Sequence, residues 1–204
     1  MTSNRPPSLV AQAQAPLRDH YRQHPHAALV TDHAVARGTD PADPFHATVE
    51  PMDGCGVQVP VGVHRAIGGP HDAPTPGDLL CAALAACQDS AVRIVASMLG
   101  VQLTALEVRV SGEVDVRGAL GMDAAVPVGF QSLRCDVHLN VLPDTLPALL
   151  QKLQVAAERC CVVQQTLRAP PPVATHFHVA GSLPDGDAAG RPAANGARLP
   201  MGEA

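Results

Sequence analysis

Two segments in the middle of the chain alternate strictly between apolar and polar side chains. Residues 106–117 place Leu106 and four valines on one face and charged residues on the other, and residues 131–142 repeat the pattern with Leu133 and Cys135 on the apolar face. A period of two residues is typical of a strand with one buried and one solvated face. We therefore predict two antiparallel strands here, with Cys135 facing the core.

Weaker patterns predict further elements on either side. Residues 8–23 favour a short helix, and residues 27–37, 45–51 and 57–63 favour strands. The cluster 38–44 (GTDPADP) is typical of a turn. Pro60 cannot donate a ladder hydrogen bond, so the third of these strands is predicted to be an edge strand or an irregular one. Residues 172–180 predict a last strand.

The strongest helix signal begins at Thr75. Thr75 suits the N-cap, Pro76 the first helical position, and Asp78 the third, which is the pattern of a capping box. The helix is predicted to end at Leu99, with Gly100 as its C-terminal cap. Its first half, through Ala86, is almost wholly apolar, so we expect it to be buried on all sides, in part by a partner subunit.

A second helix is predicted at about 145–160, where leucines recur at helical spacing and Cys160 continues their stripe. Strands grouped around two helices indicate an α+β fold. The predicted organisation is an N-terminal, partly helical extension at 1–26, one domain at 27–180, and a tail at 181–204. The tail is rich in Gly, Ala and Pro and is predicted to be disordered.

Composition excludes several classes of protein. The net charge is −5 and the aromatic content is 2%, so the chain lacks the basic and aromatic surfaces that bind nucleic acid. We see no secretory signal pattern at the N-terminus, and no uninterrupted apolar run of the roughly 20 residues that cross a bilayer. We therefore expect a cytoplasmic protein that binds neither nucleic acid nor membrane, whose thiols are kept reduced.

Cysteines provide the candidate chemistry. The chain has six cysteines and no C-x-x-C pair, which speaks against zinc-ribbon and thioredoxin-like sites. They are Cys55, Cys81, Cys87, Cys135, Cys160 and Cys161. From periodicity alone, Cys87 is as well explained as a small buried hydrophobe as it is as a reactive thiol. Cys81 and Cys135 are predicted to be structural, and Cys55 to be an incidental thiol in a turn.

Two motifs resemble those of the OsmC/Ohr family, the osmotically inducible and organic hydroperoxide resistance proteins. Residues 74–87 (PTPGDLLCAALAAC) are similar to the family helix that carries the reactive cysteine, and residues 161–167 (CVVQQTL) to the segment that carries the resolving cysteine. The resemblance implies an intertwined homodimer of curved antiparallel sheets packed with two long helices. It also implies thiol-dependent reduction of organic hydroperoxides, with an external dithiol as reductant.

The resemblance assigns Cys87 as the peroxidatic thiol and Cys161 as the resolving thiol, with Cys160 as the alternative. A thiolate is the nucleophile, so Cys87 needs a nearby cation. Arg37 or Arg65 is expected to supply it. The family's arginine is held by a glutamate ten residues before the cysteine, and that position is Gly77 here.

Three further residues bear on these assignments. Asp78 is the expected substitute for the missing glutamate, although a helix cap explains it equally well. Val162 replaces the proline of the second motif. Arg93, two helical turns after Cys87, is expected to face solvent.

Other functions remain open at this point. The pairs His24–His26 and His176–His178 are read as surface histidines, because nothing near either pair provides a third ligand; we predict no metal and no cofactor. The absent glutamate at Gly77 leaves two alternatives to a peroxidase: a non-catalytic protein that binds a small apolar ligand at the dimer interface, and a thiol redox sensor.

Overall fold

The structure, a computed structural model, describes residues 7–179. The chain divides into two compact units after Pro170. Every helix and strand of the described residues lies in the first unit. In the second, residues 171–179 are exposed and have no regular secondary structure. The predicted disordered tail at 181–204 lies outside the described residues.

Five helices and five strands follow one another along the first unit. The helices are α1 (Leu9–Gln23), α2 (Pro76–Leu99), α3 (Val116–Ala119), α4 (Pro147–Cys160) and α5 (Val162–Arg168). The strands are β1 (Ala34–Arg37), β2 (His46–Pro51), β3 (Val59–Gly62), β4 (Leu103–Glu113) and β5 (Ser132–Val141). Short 3₁₀ turns occupy Pro25–Ala28 and Arg65–Ile67. The α+β layout is confirmed.

The first three strands form an antiparallel sheet in the order β1-β2-β3. Strand β3 is an edge strand, as Pro60 predicted. The expected strand at 27–37 is shorter than predicted, because the 3₁₀ turn that begins at Pro25 takes up its first residues. His46 ties this sheet to the loop before α2: its Nδ1 lies 2.7 Å from Asp43 Oδ2 and its Nε2 lies 3.1 Å from Asp72 Oδ1.

The two strongly alternating segments pair with each other as an antiparallel sheet of β4 and β5. The register places Cys135 opposite Val110. The predicted strand at 106–117 ends earlier, at Glu113. Asp115 caps the short helix α3 instead, and its Oδ1 accepts a hydrogen bond of 3.1 Å from the Arg117 backbone N–H.

The predicted caps of α2 are present at both ends. The Asp78 backbone N–H donates to Thr75 Oγ1 at 3.2 Å, and the Thr75 backbone N–H donates to Asp78 Oδ2 at 2.8 Å. These reciprocal bonds form the capping box and satisfy donors that a helix start leaves free. Gly100 ends the helix in the left-handed conformation, with φ 71°.

The second half of α2 packs against the β4–β5 sheet and against α4. The buried side chains shared by these elements are Val92, Val95, Ala96, Val101, Leu153 and Ala157. A second, smaller cluster lies nearer the middle of α2 and contains Leu84, Ala91 and Cys161. The helix is therefore buried along one stripe, which is the pattern of a helix on the surface of a core.

The expectation that α2 is buried on all sides through Ala86 is wrong for the single chain. Ala82, Ala83 and Ala86 are exposed, because no other element of the described chain covers that face. By length and composition alone α2 is also apolar enough to cross a membrane, although no uninterrupted run predicted this. The core helix of a soluble protein satisfies the same criterion of length and composition.

Two predictions near the C-terminus need correction. The helix predicted at about 145–160 is α4, but a further helix, α5, follows it unpredicted. The strand predicted at 172–180 is absent from residues 172–179, and residue 180 lies outside the described part. Pro170, Pro171 and Pro172 have no backbone N–H for a ladder, and the residues that follow are exposed, so their alternation has no core to face.

Phe130, just before β5, packs where two glycines leave space. A Cβ on Gly112 would lie 2.4 Å from Phe130 Cε1, and a Cβ on Gly77 would lie 3.3 Å from Phe130 Cζ. The ring therefore joins the start of α2 to the end of β4. Gly112 is required by this contact, because real Cβ atoms do not approach a ring so closely.

We predict that Gly112→Ala destabilises the protein by about 1–3 kcal/mol, since the added methyl group must displace the Phe130 ring. Gly129→Ala is the matched control, because a Cβ at Gly129 meets nothing within 4 Å. Urea denaturation of the two variants measures the difference. Equal midpoints would show that Phe130 moves away without cost.

Candidate thiol site

Cys161 occupies the break between α4 and α5. Its backbone angles, φ −76° and ψ 100°, are not helical, so the chain changes direction there. Helix hydrogen bonding nevertheless continues on both sides: the Cys161 N–H donates to Ala157 O at 3.1 Å, and Cys161 O accepts from the Gln165 N–H at 3.0 Å. The result is a side chain with 0% exposure, held against the middle of α2.

Three cysteines meet at this point. Cys87 on α2 is partly buried and packs against the cluster that contains Cys161, whose pKa it raises. Cys135 on β5 packs into the same cluster and lies close enough to Cys161 to raise its pKa electrostatically. Helix α2, strand β5 and the α4–α5 break thus each contribute one thiol. The two family-motif cysteines are brought together, and Cys135 joins them.

The surroundings of Cys161 hold its thiol neutral. The pKa of Cys161 is raised from 9.0 to about 11; burial is the main cause, and the neighbouring Cys87 and Cys135 act in the same direction. A hydrogen bond from the Gln164 backbone opposes this shift. Burial is also the main cause that raises the pKa of Cys135, followed by the charges of Asp136 and Glu158. A desolvated thiolate without a nearby cation is disfavoured, which explains why the pKa values of both thiols are raised.

Cys160 and Cys81 lie apart from this cluster. Cys160, the sequence alternative to Cys161, is exposed at the last residue of α4. Cys81 lies on α2 near Asp78, and burial together with that carboxylate raises its pKa. Neither side chain belongs to the buried cluster that contains Cys161.

Asp78 is engaged as a helix cap. Its Oδ2 accepts from both the backbone N–H and the hydroxyl of Thr75, each at 2.8 Å, and these bonds lower its pKa. At Gly77, the position of the family glutamate, a Cβ would lie 3.3 Å from Phe130 Cζ, so a side chain there would need the ring to shift by a few tenths of an ångström.

The arginines lie outside the thiol cluster in the described chain. Arg37 approaches Glu50 at 3.5 Å on the first sheet, with its side chain 62% exposed. Arg65 is exposed in its 3₁₀ turn. Arg93 pairs with Asp89 on the exposed face of α2, as expected. Among the described residues, the side chains that shift the pKa of Cys161 are cysteines and none is an arginine.

A pocket of about 470 Å³ opens beside the thiols. Cys135, Phe130 and Gln88 line it, together with the Arg168–Glu158 ion pair of 3.3 Å at its rim. Gln88 is 3% exposed, and its Oε1 has no hydrogen-bond partner among the described residues. The pocket thus contains a buried acceptor within a lining of mixed polar and apolar side chains. Its lining residues on α2, β5 and α5 are as follows: Leu84, Gln88, Ser132, Leu133, Cys135, Val137, Gln164, Leu167 and Arg168.

Sequence reasoning missed Gln88, Arg168 and the position of Cys135 in the cluster. Gln88 carried one usable signal, since it is a polar residue next to the motif cysteine on an otherwise buried stripe. Arg168 carried none, because α5 was not predicted. Among residues 7–179, no group of three or more His, Cys, Asp and Glu side chains is arranged to hold a metal ion.

The sequence motifs and the fold agree with one family of proteins. The family model described as OsmC-like protein matches residues 69–176, which is more than half of the chain and includes both cysteine motifs. The chain belongs to the OsmC-like protein family. No curated protein matches the sequence at a significant level.

Solved structures with this OsmC-like fold come from several bacteria. An OsmC-like protein from Mycoplasma pneumoniae is similar with a TM-score of 0.55 at 12% identity, over 69% of this chain and 89% of its own. An organic hydroperoxide resistance protein from Legionella pneumophila aligns with a TM-score of 0.51 at 24% identity, over 70% and 92%. One from Elizabethkingia anophelis aligns with 0.51 at 22%, over 70% and 91%. At these identities the similarity establishes the fold.

The raised pKa of Cys161 predicts a loss of stability at high pH. The thiol of the unfolded chain ionises near pH 9 while the folded one stays neutral to about 11, so the free energy of unfolding falls as pH rises through this window. At about 1.4 kcal/mol per pKa unit, the loss approaches roughly 2–3 kcal/mol. Denaturation at pH 8 and pH 10.5 should show this fall in the wild type and a smaller one in Cys161→Ala.

Cys160→Ala is the matched control for this measurement, because Cys160 is adjacent and exposed. It should retain the wild-type fall. An identical pH dependence in Cys161→Ala and the wild type would show that Cys161 is not the group responsible.

Proposed function

We propose that this OsmC-like protein is a thiol-dependent peroxidase that reduces organic hydroperoxides in oxidative-stress defence. The observation that carries the proposal is the packing of Cys87 against the cluster that contains Cys161, which brings together the cysteines of the two family motifs. Solved structures of the same fold include organic hydroperoxide resistance proteins, which supports a general role in oxidative stress.

The proposed reaction begins at Cys87. Its thiolate attacks the terminal oxygen of the hydroperoxide; the O–O bond breaks, an alcohol leaves, and Cys87 becomes a sulfenic acid. The Cys161 sulfur then attacks the Cys87 sulfur, a disulfide forms, and the hydroxyl departs as water. An external dithiol reduces this disulfide by thiol–disulfide exchange and restores both thiols.

Cys161 is our choice for the resolving thiol. Its contact with Cys87 means that a disulfide needs little movement of the backbone. Cys160 is exposed and outside the buried cluster, so it would need the end of α4 to unwind. Burial of Cys161 also shields it from direct oxidation, which leaves Cys87 to meet the peroxide first.

We further propose that the protein acts as a homodimer in the cytoplasm. The exposed face of Ala82, Ala83 and Ala86 offers a flat apolar contact for a second copy. The β1–β3 sheet makes no extensive contact with α2 among the described residues. Arg37 or Arg65 of a partner could therefore reach Cys87 across the dimer and supply the cation that stabilises its thiolate.

A non-catalytic binding protein is the second candidate, and the pocket favours it. A cavity of about 470 Å³, lined by both polar and apolar side chains and with one unsatisfied acceptor, Gln88 Oε1, is suited to a small ligand that carries a donor. A redox sensor would use the same thiols. Alkylation separates the candidates: a folded-state Cys87 that resists iodoacetamide at pH 7 favours the binding protein, and rapid alkylation favours the peroxidase.

We predict that Cys87→Ser abolishes hydroperoxide reduction, because serine cannot form the sulfenic intermediate. Consumption of cumene hydroperoxide with dithiothreitol should fall to the rate without protein. Cys81→Ser, six residues earlier on the same helix, is the matched control and should retain wild-type turnover. Equal turnover in Cys87→Ser and the wild type would exclude the catalytic assignment.

A second test concerns the cation. If Arg37 or Arg65 stabilises the Cys87 thiolate, replacing that arginine with alanine should shift the pH–rate profile of Cys87 alkylation to higher pH. Alkylation at pH 7 should then slow by about tenfold for each pH unit of that shift. Arg93→Ala, whose side chain pairs with Asp89 on the exposed face of α2, is the control. Unchanged profiles for both Arg37→Ala and Arg65→Ala would contradict both assignments.

A further inference from the structure

The thiol cluster contains one more cysteine than the proposed reaction uses. Cys135 packs into the same cluster as Cys87 and Cys161, and its charge acts on Cys161. From sequence alone, Cys135 is an inward residue of a strand and nothing more. In the structure it differs from an ordinary core residue in two respects: the Cys161 thiol is close enough for Cys135 to raise its pKa, and Cys135 lines a pocket.

Access distinguishes the three sulfurs. Cys161 is fully buried and does not line the pocket beside the cluster. Cys135 does line it, between Leu133 and Val137 on β5. A disulfide between Cys87 and Cys161 therefore offers an external dithiol no approach to Cys161 from this pocket, whereas a disulfide that includes Cys135 places one of its sulfurs at the pocket wall.

The backbone supports a close approach of these residues. Cys135 pairs with Val110 across the β4–β5 ladder, and Val110 also packs against the cluster. Helix α2 packs on β4, and α5 packs on α2. The three thiols thus belong to elements that are already in contact, and exchange between them requires side-chain rotation more than movement of a helix.

We propose that Cys135 is a third redox thiol, which takes over the disulfide from Cys87 and presents it to the reductant in the pocket. The inference rests on the proposed peroxidase reaction, because the hydroperoxide supplies its only oxidising equivalent. It adds a step between the Cys87–Cys161 disulfide and the external dithiol.

The added step is a balanced exchange. The Cys135 thiolate attacks the Cys161 sulfur, the Cys87–Cys161 bond breaks, and Cys87 leaves as a thiolate; the new bond joins Cys135 and Cys161. No net oxidation or reduction occurs in this step. The external dithiol then attacks the Cys135 sulfur from the pocket, forms a mixed disulfide with it, and expels Cys161 as a thiol. The second sulfur of the dithiol next attacks the first, so that the dithiol leaves as its own disulfide and Cys135 is again a thiol.

Burial holds the pKa of Cys135 above its ordinary value. The transfer should therefore accelerate as pH rises, because the attacking species is the thiolate. Charged groups that face this thiol are Asp136 and Glu158, and both favour its neutral form. Each carboxylate has its own cation: Arg134 pairs with Asp136 at 2.8 Å, and Arg168 pairs with Glu158 at 3.3 Å.

Disulfide mapping by mass spectrometry tests the proposal. The full chain with Cys55→Ala, Cys81→Ala and Cys160→Ser keeps only the three clustered thiols. Trypsin separates these into different peptides, since it cuts after Arg65, Arg93, Arg134, Lys152, Arg159 and Arg168. One equivalent of cumene hydroperoxide is added, and samples are quenched with acid and N-ethylmaleimide over time.

The expected result is a Cys87–Cys161 disulfide that forms first and a Cys135–Cys161 disulfide that replaces it, faster at pH 8.5 than at pH 7. Turnover with dithiothreitol should fall about tenfold in Cys135→Ser, because the reductant loses the sulfur that it reaches through the pocket. Cys135→Ala is a second variant in case the serine disturbs the core. Cys81→Ser is the control that keeps turnover.

Failure of this inference is distinguishable from failure of the proposed function. A stable Cys87–Cys161 disulfide, with Cys135 alkylated throughout, would leave the peroxidase reaction intact and overturn the role of Cys135. If the hydroperoxide oxidises no thiol, diamide is used to form the first disulfide instead. Transfer to Cys135 would then support the exchange step alone, and its absence would overturn it.

Discussion

The packing of α2 against the β4–β5 sheet and α4 is the contact on which the rest of the structure depends. It buries one stripe of α2, including Val92, Val95 and Ala96, and so fixes the rotation of the helix about its own axis. That rotation determines that Cys87 faces α5 while Ala86 faces outward.

The sequence predicted the elements whose signals are local. The capping box at Thr75 and Asp78, the end at Gly100 and the period-two strands all arise from neighbouring residues, and the structure contains them. The edge position of β3 followed from Pro60 for the same reason. Elements that depend on distant contacts were missed: α5 begins only because the chain breaks at Cys161, and residues 172–179 alternate without any core to face.

In the candidate site, too, local sequence signals predicted some residues, whereas residues that depend on tertiary contacts were missed. The motif resemblance selected Cys87 and Cys161 by their order along the chain, and the fold brings them into contact. It could not place Cys135, because the position of a strand residue over a helix is a tertiary property. The arginine was not located for a related reason: Arg37 and Arg65 belong to segments that the single chain leaves apart from the thiols. Phe130 at Gly77 likewise depends on a loop 50 residues away in the chain.

The neutral state of buried Cys161 ties electron transfer to proton transfer. Its thiol keeps its proton until about pH 11, so whenever its sulfur enters a disulfide, a proton must leave through the surrounding side chains. The midpoint potential of such a couple then falls by about 30 mV per pH unit for that one proton. A disulfide that includes Cys161 would therefore be easier to reduce at low pH than at high pH.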